Sequence, residues 1–137
     1  MFSVEAVGRL VQIRLASPLD ADGVARFVER ARCVLLGVPR VIGIADLRRL
    51  NVMAPDSADM VTTMLIRDNG RVERTAILVA SLQGSLGLQL TRMLRDAKAQ
   101  ARQLFDDPTE ATEFLSDLLA PAEHLSLDRF LAAELVS

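Results

Sequence analysis

Asp46, Ser57, the turn at residues 81–85, Cys33 and His124 are the places where this chain's residue types admit chemistry. Asp46 closes the apolar run Val41-Ile42-Gly43-Ile44-Ala45, which reads as a strand buried on both faces. A carboxylate at a strand end moves protons only with a second acid or a base beside it, and none is evident by spacing. It otherwise pairs with Arg48 or Arg49, caps the following loop, or faces a partner. Ser57 follows Asp56 at the expected start of a helix. There a serine either caps the backbone or accepts a phosphoryl group, which free N–H groups and the helix dipole accommodate. Asp56 and Asp59 would repel that charge.

Ser81-Leu82-Gln83-Gly84-Ser85, with Gly87 beyond, sits between an expected strand and an expected helix. Backbone N–H groups at Ser81, Gly84 and Ser85 suit an anion; the plainer reading is a strand-to-helix turn. Neither Gly-x-x-x-x-Gly-Lys-Ser/Thr nor Gly-x-Gly-x-x-Gly is present. Cys33 is the single cysteine, so no internal disulfide forms, and its place in a helix predicts a buried structural thiol. His124 is the single histidine. Without clustered ligands the chain predicts no metal site and no cofactor, and it lacks the parts for Ser-His or Cys-His chemistry. These residues point away from an enzyme.

The elements that position them alternate. Residues 3–6 and 11–15 read as a hairpin around Gly8-Arg9, because Val11, Ile13 and Leu15 alternate with Gln12 and Arg14. Asp20 caps a helix over residues 21–35, with Val24, Phe27, Val28, Ala31 and Leu35 on one face. After the strand at 41–45 comes a helix from about 57 to 67, a second buried strand at 75–80, a helix carrying Leu86, Leu90, Met93, Leu94 and Ala97, and a short strand at 102–105. Asp107-Pro108-Thr109-Glu110 is a sharp helix start: a cap, Pro at the first position, Glu at the third. Residues 121–136 read as a last helix, with Leu127, Phe130, Leu131 and Leu135 as its stripe. That stripe either packs on the chain's own core or meets a second copy as a homodimer. The order is ββαβαβαβα plus a C-terminal helix: an α/β fold with a mixed sheet and helices packed against it. Residues 1–120 form the expected domain and 121–137 an extension on or beside it.

Composition narrows the function classes. The 137 residues are half hydrophobic and one-quarter charged, the profile of one globular domain. A net charge of −2 gives no basic field for nucleic acid or anionic lipid. Among the 16 basic residues all but Lys98 are Arg. No apolar run approaches the ~20 residues of a membrane span, and residues 1–10 do not read as a secretory signal. A cytoplasmic location is expected.

This order of elements, with Asp46-Leu47 at a strand end, Asp56-Ser57 at a helix start, and the run from Arg102 to Leu115, resembles the STAS domains. These comprise the anti-sigma-factor antagonists and the looser SpoIIAA-like proteins, some of which are compared with CRAL-TRIO lipid-binding domains. The resemblance covers residues 3–119. It implies a non-catalytic regulatory module that binds a protein partner through Asp46, Leu47, Val52, Met53, Asp56 and Ser57, with Ser57 as phosphoacceptor. A small-ligand or lipid-binding module is the alternative. The loop to Ser57 is about two residues longer than the antagonist pattern, and Ala58-Asp59 stands where small residues would follow. Leu50, Val52, Met53 and Ala54 either fold onto the core or form a docking patch.

Overall fold

The computed structural model describes residues 1–136, with side chains to residue 133. One five-stranded sheet carries its strands in the order of the chain: β1 (Phe2–Val7), β2 (Leu10–Ala16), β3 (Val41–Arg49), β4 (Val72–Leu78) and β5 (Arg102–Phe105). β1 and β2 are antiparallel; every later pairing is parallel. The hairpin turn is the two residues Gly8-Arg9, with Gly8 at φ +59°. That left-handed conformation is what glycine admits at the first turn position.

Between the parallel strands run α1 (Ala21–Leu36), α2 (Pro55–Asp68) and α3 (Ser85–Asp96), with a single 3-10 turn at Asn69–Arg71. Each strand adds on the same side of its predecessor, so right-handed crossovers place all three helices on one face of the sheet. They cover Val11, Leu15, Val41, Ala45, Leu47, Ile77 and Val79. The opposite face presents Leu10, Ile42, Ile44, Ala76 and Leu78. It is covered by α4 (Pro108–Ser116) and α5 (Pro121–Val136) through Ala111, Leu115, Leu127 and Leu131. Both faces of β3 and β4 are therefore dry, which explains their unbroken apolar reading. Burying Ile42 or Ile44 contributes about 1.5–3 kcal/mol each.

Local signals hold where they are strong. Asp20 Oδ1 accepts from Gly23 N–H at 2.8 Å to start α1, and Asp107 Oδ1 accepts from Thr109 N–H at 2.9 Å to start α4. Four expectations are corrected. β3 does not stop at Asp46 but runs to Arg49, and β4 covers 72–78 rather than 75–80. α2 begins at Pro55, two residues before Ser57, because Pro at the first helical position has a preset φ and no N–H to leave unpaired. Cys33 is exposed rather than buried, since the inward face of α1 is taken by Val24, Phe27, Ala31 and Leu35. Leu135 lies outside the described side chains.

Candidate functional site

The chain leaves β3 at Arg49 and reaches α2 through residues 50–54, and this segment is pinned. Leu50 N–H bonds back to Leu47 C=O at 3.1 Å, and Asn51 N–H donates to Ser17 Oγ at 2.9 Å. Gln89 of α3 then grips Met53 twice: its Oε1 accepts from Met53 N–H and its Nε2 donates to Met53 C=O, both at 2.8 Å. Leu50 and Met53 turn down into the core above α1–α3. Val52, between them, is 55 % exposed.

The turn at residues 81–85 stands beside this loop. Together they bound an open crevice of about 210 Å³ lined by Leu50, Asn51, Val52, Ser81, Gly84 and Ser85, among others. The turn's N-terminal corner closes on itself: Gly84 N–H bonds Ser81 C=O at 3.3 Å and Gln83 N–H bonds Ser81 Oγ at 3.3 Å. Gly87 is required for the close approach, because a Cβ there would sit 2.5 Å from the Leu82 carbonyl oxygen and 2.6 Å from that of Ser81. Leu82 and Leu88 are exposed on the same turn and the first turn of α3.

Asp46 is elsewhere. It lies inside β3 on the α5 side of the sheet, in the row of Ile42 and Ile44, and is 1 % exposed. Arg48, two residues on and so on the same face, donates to it from Nε and Nη2, both at 3.0 Å, and from its backbone N–H at 3.2 Å. Arg14, directly opposite on β2, donates from Nε at 3.3 Å. Burial pushes the Asp46 carboxyl up, but the hydrogen bonds and charge of Arg48, with the charge of Arg14, outweigh it and hold the group below its ordinary range. Arg14 continues the network under α5: its Nη2 donates to Phe130 C=O at 2.5 Å, and its guanidinium stacks 4.0 Å from the Phe130 ring centroid. Gln12 Nε2 donates to Ser126 Oγ at 2.7 Å.

At the N-terminal end of α5, buried Glu123 accepts from Ala120 N–H at 2.8 Å and from Arg9 N–H at 2.7 Å. The first contact is the returning half of a capping box; the second ties α5 to the hairpin turn. Sequence reading missed both Gln89 and Glu123. Ala-Pro-Ala-Glu at 120–123 repeats the Pro-x-Glu start seen at 108–110 and was a usable signal for Glu123. Nothing local marks Gln89.

No protein-family model matches the chain, and no curated protein does. Solved structures do match. SpoIIAA, a Bacillus cell fate determinant determined in its phosphorylated form, superposes with a TM-score of 0.56 at 17 % identity, over 82 % of this chain and 97 % of its own. TM1081, determined by NMR, gives 0.51 at 13 % identity, over 82 % of this chain and 86 % of its own. The chain has the STAS fold of SpoIIAA.

Within that STAS fold, the expected partner-binding residues divide. Val52 and Asp56 are exposed; Leu47, Met53 and Ser57 are buried at 5 %, 9 % and 4 %, and Asp46 lies under α5. Asp46 therefore offers no carboxylate to a partner: strand alternation turns it to the covered face. Ser57 is the third residue of α2 rather than its cap, which turns it inward among Val61, Met64 and Leu65. A phosphoryl group fits there only after that turn opens. Ser81 and Ser85 are exposed and Gly84 is half-buried, beside Val52 as the crevice requires. His124 is half-buried on α5. Among the described residues no group of three His, Cys, Asp or Glu could hold a metal, and no helix is long and apolar enough to cross a membrane.

Proposed function

We propose that this STAS-fold chain is a non-catalytic regulatory module that binds a protein partner through the surface made by residues 50–54, the start of α2 and the 81–85 turn. One observation supports this most directly. Val52 is held out at 55 % exposure by a backbone pinned at Asn51 and Met53, while its neighbours Leu50 and Met53 are buried. A rigid, exposed apolar side chain on the crevice shared with Ser81, Gly84 and Ser85 is a pre-organised contact, which lowers the entropy lost on binding. Asp56 supplies a charge at the rim. Leu47, Met53 and Ser57 act from beneath, by shaping the loop and its supporting strand, while Asp46 holds β3 on the sheet's other face.

The alternative of a module for a lipid or a drug-sized ligand has less support. The apolar cavity under α1–α3 holds about 80 Å³, short of the ~300–1,000 Å³ of pockets for drug-sized ligands.

Affinity capture from native lysate tests the proposal with three baits: the natural chain, Val52→Asp and Leu36→Asp. Leu36 is equally exposed, at 56 %, but lies at the end of α1. Proteins retained by the natural chain and Leu36→Asp but lost from Val52→Asp are the expected result. Identical captures by all three baits would remove the loop from the interface.

A further inference from the structure

The layer between the sheet and α1–α3 is not filled. A cavity of about 80 Å³ runs there, walled by Phe27, Val61, Leu65, Ile77 and Leu90. That exceeds several times over the ~10–15 Å³ that admits one water-sized group, and suits a chain of a few carbons. Its lining turns polar at one end, where Asp68, Thr75 and Arg102 meet it. Arg102, paired with Thr75 across β4 and β5, and Val72, earlier on β4, keep part of their surface exposed, so this end is a mouth.

Arg102 is the unbalanced group. Its Nη1 donates to Asn69 Oδ1 at 2.6 Å and to Leu65 C=O at 3.5 Å, two neutral acceptors. Asp68, whose charge it feels, is gripped instead by Arg67, from Nη2 at 2.9 Å and Nε at 3.0 Å. Among the described residues no carboxylate forms an ion pair with Arg102. Arg67, Asp68 and Arg102 sum to one positive charge at the mouth of an apolar chamber. Burial works against the charged form of Arg102, and Asp68 offsets this only in part. The Nε and Nη2 groups of Arg102 are left to meet the two oxygens of a carboxylate, the geometry a guanidinium fork favours.

We propose that this cavity binds a short aliphatic carboxylate, its tail of about three carbons lying among Leu65, Ile77 and Leu90 and its head on Arg102. A tail of one carbon leaves the chamber unfilled, and a tail of seven exceeds it. The site is separate from the loop surface proposed for a protein partner, and each stands without the other.

Methyl-resolved NMR titration of the full chain with sodium butyrate tests this, with sodium acetate and sodium octanoate as length controls. Butyrate should give saturable shifts at the methyls of Leu65, Ile77 and Leu90. Acetate and octanoate should bind about tenfold more weakly, as should butyrate to Arg102→Met, which keeps an apolar stem and removes the charged donors. Ala45→Val is the second variant: it narrows the chamber from β3 and leaves Arg102 in place, so it too must weaken butyrate. No saturable shift in the natural chain overturns the proposal. So do shifts confined to exposed methyls such as those of Leu82, Leu88 and Leu125, or unchanged butyrate affinity in Ala45→Val or in folded Arg102→Met.

Discussion

Gln89 and Met53, 36 residues apart, are joined as two strands of a sheet are joined: the side-chain amide of one supplies both the donor and the acceptor that the main chain of the other requires. The loop before α2 thus borrows a backbone-like partner from α3. Gln89→Leu keeps the volume but leaves Met53 N–H and C=O unpaired in a part-buried place, at a cost of about 1–3 kcal/mol. Urea unfolding should show that loss. Amide exchange at Met53 should accelerate, while exchange in the centre of β3 tracks only the global stability.

Asp46→Ala should cost about 3–5 kcal/mol, because it removes the buried carboxylate that Arg48 grips three times and Arg14 shares. Against a total stability of ~5–15 kcal/mol that is a large fraction. Equilibrium denaturation measures it. A loss under about 1 kcal/mol, typical of an exposed ion pair, would mean that Asp46 is solvated rather than enclosed.

The same group sets a pH dependence. The folded-state pKa of Asp46 lies below its ordinary value of 3.8, so the folded chain holds fewer protons than the unfolded one in that region. Its stabilising contribution is complete well above pH 3.8 and is lost as the pH falls through the lower folded-state value. Thermal midpoints taken downward from pH 6 should fall on this acid limb, and less steeply in Asp46→Asn. Glu73 is also held low, by hydrogen bonds from Arg40 and Arg9, but its partners Arg40 and Arg9 are solvated and the pair adds little.

Ser57→Ala should leave stability within about 0.5 kcal/mol, since Ser57 caps nothing and alanine favours a helix. Ser57→Asp should destabilise: the helix dipole welcomes the charge, yet the site is 4 % exposed among Val61, Met64 and Leu65. Paired thermal melts decide it. A higher midpoint for Asp than for Ala would place the side chain in solvent and reopen Ser57 as a phosphoacceptor.

Glu123→Ala removes the acceptor for two N–H groups, on Ala120 and on Arg9, and should cost about 1–3 kcal/mol. Exchange of the Arg9 amide should speed up with it. Glu123→Gln keeps an acceptor oxygen and should recover part of the loss; a glutamine variant as weak as the alanine one would make the charge decisive.

Signals written within a few residues were readable beforehand. Asp20 before Ala21 and Asp107 before Pro108 announce their helices because cap and capped N–H are neighbours in sequence. The alternation of Val11, Ile13 and Leu15 gives β2 for the same reason. Asp46 was misplaced because a charge after five apolar residues reads as an ending. Its continuation depends on Arg14, supplied by register from another strand, and on α5 closing over both. Val52 and Met53 were indistinguishable as apolar loop residues, for only Gln89, far along the chain, decides which of them turns inward. The start of α2 was legible in principle from Pro55, but Asp56-Ser57 drew the boundary two residues late.

The contact between Glu123 and Arg9 bears on how this molecule is made. Strand order that follows chain order lets each new strand dock against the one just synthesised, a nearly local and rapid way to grow a sheet. The other side of that sheet obeys a different clock. Leu10, Ile42 and Ile44, with the Arg14–Asp46 pair among them, take only part of their cover from α4, and the face closes when α5, beginning 112 residues after the turn at Arg9, returns over it. During synthesis that apolar face is a transient hazard for self-association. A nascent chain halted before Pro121 should therefore be the form that chaperones hold.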